Sequence, residues 1–189
     1  MSMPVVTGRG FFARGAAIGC MLVAVSGLAG CTTDKSKGLC PSAFVIAPTS
    51  SLTVFRENAP QDPSGELYTV WMSNVKTSCD FDKKTVSTDS TVHIAFHAKR
   101  APNAQAAAYN VPYYLAVTHH GERIMAKKIF IAQIAFGPGQ VTTDLETTID
   151  STVIHIARGN KIGEYEILAG FQLTRAQLDY NNKTNRYSP

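Results

Sequence analysis

Five histidines, fourteen acids and four cysteines are the groups with obvious reactive chemistry in this 189-residue chain. The adjacent pair His119-His120 is the one place where metal chemistry suggests itself. Neighbouring residues of a strand point to opposite faces, and no third ligand of clear type lies nearby in sequence, so the pair reads as turn surface. His93 and His97 share a strand face but lie about 13 Å apart at the usual rise. That is too far for one metal ion, and they read as solvent-facing residues. Asp80/Asp82 and Glu164/Glu166 read as same-face strand pairs about 6.6 Å apart. A glycosidase could use such spacing, but it needs a cleft, and the sequence offers none. Gly-x-Ser-x-Gly, His-Glu-x-x-His and a phosphate-binding glycine loop are all missing. The expectation is no catalytic residue, no metal ligand, no cofactor and no enzymatic activity.

The N-terminal stretch has a different chemistry. Arg9 and Arg14 precede an uncharged run, residues 15–28, rich in Ala, Val and Leu. The run is shorter than the ~20 apolar residues that a transmembrane helix needs, and it suits the core of a signal peptide. It closes on Leu28-Ala29-Gly30-Cys31, small residues followed by a cysteine. This pattern resembles the lipobox of bacterial lipoproteins. The resemblance implies cleavage before Cys31, diacylation of its sulfur and acylation of the new amino terminus. Several acyl chains, each CH₂ contributing roughly 0.8 kcal/mol, would give a stable membrane anchor. The resemblance places the chain in the cell envelope, facing the periplasm. Thr32-Thr33 stands where inner-membrane lipoproteins often carry Asp, which leans the expectation towards the outer membrane.

With that resemblance, the four cysteines divide. Cys20 leaves with the signal segment and Cys31 carries the lipid. Cys40 and Cys79 remain, and an even pair in an oxidising compartment reads as a disulfide. A loop of about 40 residues would stabilise the fold by roughly 4 kcal/mol in the chain-entropy account. There is no Cys-x-x-Cys to suggest redox catalysis, and two cysteines without clustered histidines do not make a zinc site. Loss of residues 1–30, which hold two arginines and no acid, lowers the formal charge from +4 to +2. That is no polybasic surface, and nucleic acid is not an expected partner.

The elements follow in order. Residues 31–39 are polar and small, a flexible tether. Residues 40–182 form one domain, and 183–189 a polar tail. Short β-runs at 44–47 and 52–55 precede a loop, Arg56 to Gly65, with two prolines. The stretch 66–75 carries large side chains on both faces, as in a central strand, with Trp71 expected in the core beside the disulfide. Cys79 to Asp82 reads as the start of the next strand. Residues 91–98 alternate, with Val92, Ile94 and Phe96 inward. Residues 99–110 read as a crossing between sheets. Residues 111–118 and 124–136 form a hairpin around His119-His120-Gly121-Glu122, with a bulge expected near Lys127-Lys128. An acidic, threonine-rich edge segment follows at 141–150. Then comes a strand with Ile154 and Ile156 on one face, and a last strand, 164–173, with Tyr165, Ile167, Ala169, Phe171 and Leu173 inward. Gly170 reads as a bulge or a close contact. Thr174-x-x-Gln177 is a capping box for a short helix, about 175–181.

Seven to nine short strands without alternating helices predict a mainly β fold. The expected form is an antiparallel β-sandwich of immunoglobulin or fibronectin style, with a closed barrel as the runner-up. The domain is similar in style to small bacterial lipoproteins that carry a β-sandwich. Such a domain, lipid-anchored and without catalytic groups, reads as a structural or adaptor subunit working through protein–protein contacts. The alternative is a module binding a small ligand or glycan, for which Trp71, Tyr109, Tyr113, Tyr114 and the 56–65 loop supply aromatic and loop material.

Overall fold

The computed structural model describes residues 40–102 and 105–186. The signal segment, Cys31, the tether and the end of the tail lie outside the described residues. Among the described residues, eight strands and one α-helix run in chain order: β1 (Ser42–Val45), β2 (Ser51–Phe55), β3 (Glu66–Asp82), β4 (Ser87–Arg100), β5 (Ala107–His119), β6 (Arg123–Phe136), β7 (Thr142–His155), β8 (Tyr165–Phe171) and α1 (Arg175–Thr184). They form two four-stranded sheets, ordered β1-β8-β5-β6 and β2-β3-β4-β7. The expected sandwich is therefore present. All pairings are antiparallel except β1 with β8, which run parallel.

Period-2 alternation makes the core. Val92, Ile94, Phe96 and Ala98 of β4 face Val111, Tyr113 and Leu115 of β5, together with Ile167, Ala169 and Phe171 of β8. Phe96 meets Tyr113 edge-on and tilts against Phe171, joining the sheets at mid-core. Arg100 closes one end. Its guanidinium is buried, donates to the carbonyls of Gln140, Gln105 and Gly137, and lies 4.9 Å from the Phe136 ring centre. Buried charge is tolerated here because carbonyl acceptors replace water.

β3 explains its own mixed sequence. Its register against β4 slips between Met72 and Asn74, so Ser73 is an extra residue. A one-residue insertion exchanges the faces of a strand. Tyr68, Val70 and Met72 point inward before the bulge, and Val75, opposite Ile94, packs on the core after it. Trp71 consequently lies on the outer face, stacked on His97 at 5.9 Å, and not in the core beside the disulfide. The same bulge lets Cys79 to Asp82 continue β3 to a length of 17 residues in place of starting a new strand. Cys79 is bonded to Cys40, as expected, across a sequence separation of 39.

Other differences are local. The β6 bulge falls at Met125, opposite the Val117/Thr118 step, a few residues before Lys127. The segments around 141–150 and 151–157 are one strand, β7, turned at Ser151 by a positive φ of 56°. β4 and β5 lie in different sheets, as the crossing requires. α1 carries the predicted capping box, Thr174 Oγ1 accepting from Gln177 N, but runs on to Thr184. It docks on β2: Asn181 donates to the carbonyls of Pro48 and Ser51, and Tyr180 meets Phe55 edge-on. Arg186, placed in the polar tail by sequence, pairs with Glu66.

Candidate functional site

One end of the sandwich gathers His119, His120 and Glu164. β5 ends at His119, and the chain reverses through His120 and Gly121, with φ of 54° and 68°. Positive φ at two successive residues is the signature of the turn that matches strand twist. It also removes the alternation that would send neighbouring side chains to opposite faces. The two imidazoles therefore lie together, ring centres 4.2 Å apart.

Glu164 arrives from the other side. The expected same-face pairing with Glu166 in one strand does not hold, because Glu164 ends a 3-10 turn, Ile162–Glu164, and β8 begins at Tyr165. The β5–β8 ladder pairs His119 with Tyr165 and so brings the preceding residue against His120. The His120 N–H donates to the Glu164 carbonyl at 2.7 Å. The side chain reaches both rings: Oε2 is 3.5 Å from His119 Nε2 and 3.9 Å from His120 Nε2. All three potential ligand atoms lie within 4.8 Å of one another. This is the third group that sequence reading did not find. Gly163, just before it, marked the break that takes Glu164 out of the strand.

The surroundings fix these groups. The Lys161 N–H donates to Glu164 Oε2 at 3.1 Å and is the main reason that its carboxyl titrates below the usual range; desolvation opposes this, and His119 and His120 add to the lowering. Asn160 Nδ2 lies 3.0 Å from His119 Nε2 and donates to the Tyr165 hydroxyl at 3.2 Å.

A second feature is a cleft of about 410 Å³ at the opposite sheet. Trp71, Thr69 and Tyr68 line it from β3, Lys99 from β4, and Arg56 and Ser64 from the 56–65 loop. Arg186 closes it, paired with Glu66. Of the remaining sequence candidates, His93 is exposed and His97 half-buried under Trp71, with Thr148 and Asp144 as partners at 3.2 Å and 2.7 Å. Asp80 and Asp82 border a shallow open depression with Lys83 and Lys84. Tyr113 is buried in the core, and Tyr109 stacks on Tyr68.

Fold and site together define a two-sheet β-sandwich with a His/His/Glu cluster at one end and a basic, tryptophan-bearing cleft on one face. Compared with known proteins, the chain matches no family model, no curated protein and no solved structure.

Proposed function

We propose that the chain is a lipid-anchored protein of the cell envelope, held through acylated Cys31, that acts as a structural or adaptor subunit by protein–protein contact. The supporting observation is the outer face of the β1-β8-β5-β6 sheet. Phe44, Leu168 and Ala116 share one row across it, Gly170, Tyr114 and Ile129 the next, and Pro112 and Ile131 another. Phe44, Ile129 and Ile131 are 49%, 54% and 61% exposed. Exposed apolar side chains gathered on one sheet face, here around Lys127 packed over Tyr114, are a common mark of interaction sites. β6 is also the sheet's edge, so its backbone is available for strand addition. No helix among the described residues is long and apolar enough to cross a membrane.

Affinity purification from detergent-solubilised envelope should recover a stoichiometric partner, and Ile129→Lys with Ile131→Lys should lose it. A clean monomer from the unmutated chain would count against the adaptor reading. Cys31→Ser should release the protein from membranes; continued fractionation with lipid-modified membrane protein would sink the anchor.

The cleft favours a second reading, a module for a small ligand or glycan. An indole platform beside Lys99, Arg56 and Arg186 suits a saccharide carrying negative charge. Quenching of the single tryptophan's fluorescence by acidic oligosaccharides, lost in Trp71→Ala, distinguishes this reading.

A further inference from the structure

We infer that His119, His120 and Glu164 form a binding site for a divalent transition metal of the zinc type, with three protein ligands and an open fourth position. Two imidazole nitrogens and one carboxylate oxygen are a donor set that zinc takes, and open three-ligand sites keep the fourth place for water or substrate. Metal–ligand distances of 2.0–2.2 Å put neighbouring ligand atoms of a tetrahedral site about 3.3 Å apart. Glu164 Oε2 stands 3.5 and 3.9 Å from the two Nε2 atoms, and all three ligand atoms lie within 4.8 Å of one another, somewhat wider than that spacing. His120, on the exposed turn, is the ligand free to close the remaining gap.

Neighbouring groups contact these ligands as well. The Lys161 N–H holds the carboxylate in place. The Asn160 amide lies 3.0 Å from Nε2 of His119. Nε2 ligates when the ring proton sits on Nδ1. Asn160 also donates to the Tyr165 hydroxyl, so it keeps a partner when the metal takes its place. Because both histidines come from the β5–β6 turn and Glu164 from the connection into β8, the ion would tie two turns at the same end of the sandwich. The inference does not depend on the lipid anchor or on a protein partner.

The test uses the tag-free full chain, since an appended histidine tag would bind the same metals. Calorimetric titration with zinc should give one equivalent bound. Cobalt(II) should give the strong visible absorption of four-coordinate cobalt. His119→Ala, His120→Ala and Glu164→Gln should each weaken zinc at least tenfold, while His93→Ala leaves it unchanged. The variants keep every cysteine, so binding by thiols would not respond to them. Affinity should also fall on acidification, because imidazole ligates only without its second proton. In the unmutated chain, zinc should shift the imidazole resonances of His119 and His120 and leave those of His93, His97 and His155 in place, a readout independent of how well the variants fold. No binding, binding unchanged in all three variants, or shifts at the other histidines would overturn the site.

Discussion

Gly170 shows how one residue's size can be dictated by its neighbours. A Cβ built there would lie 2.1 Å from Thr49 Oγ1 and 2.9 Å from the Tyr114 hydroxyl, and these two groups are hydrogen-bonded to each other. Gly170→Ala should destabilise the fold by about 1–3 kcal/mol through overpacking. Urea unfolding measures it, and an unchanged midpoint would refute the contact. The tyrosines carry a second prediction. Desolvation raises the pKa of Tyr113; it also raises that of Tyr68, with Tyr109 adding. A raised folded pKa leaves stability intact below the unfolded value and erodes it as pH climbs towards the folded one. The unfolding midpoint should therefore fall above pH ~10, the ordinary tyrosine value. Tyr113→Phe should flatten that decline. A midpoint that stays level from pH 9 to 11 in the unmutated chain would show that these rings ionise freely.

At the scale of elements, inward-facing residues were legible because the side-chain period of a strand is visible in types alone: Val92, Ile94 and Phe96, or Tyr165, Ile167 and Ala169, all sit where alternation puts them. Bulges were the failure. Ser73 has no sequence signal of its own, yet it exchanges the faces of β3 and moves Trp71 from core to surface. The candidate site failed for a related reason. His119-His120 was noticed, but Glu164 reaches it only through the β5–β8 register, a pairing between segments 46 residues apart that local pattern does not encode. The disulfide is testable at this scale. Closing a loop of 39 residues should contribute about 4 kcal/mol, so the Cys40→Ser, Cys79→Ser double variant should unfold at markedly lower urea concentration. A loss under 1 kcal/mol would mean that the denatured chain is already compact there.

For the whole molecule, the two sheets present unlike exteriors. One carries the apolar rows around Ile129 and Ile131; the other carries the charged and hydroxylated β7 edge, with Asp144, Glu146 and Asp150. Acidic edges resist pairing with further strands. The exposed isoleucines contribute little to folding, so Ile129→Lys with Ile131→Lys should leave the unfolding free energy within about 0.5 kcal/mol per site. A larger loss would mean that these side chains serve the fold rather than contact. The crossings from β4 to β5 and from β6 to β7 pair β4 with β7 and β5 with β8, strands far apart in sequence, the reason that topology was harder to read than strand identity.

The bond between Cys40 and Cys79 sets a mechanical path through the molecule. Cys40 lies ahead of β1, which is four residues long and forms a sheet edge. Tension applied from the N-terminal side meets the cross-link before it meets that strand. The load then passes covalently into β3, which is laddered along its length to β4. β1 is left out of the line of force. A short parallel edge strand, the easiest piece to peel away, is shielded from any pull that arrives along the chain before it.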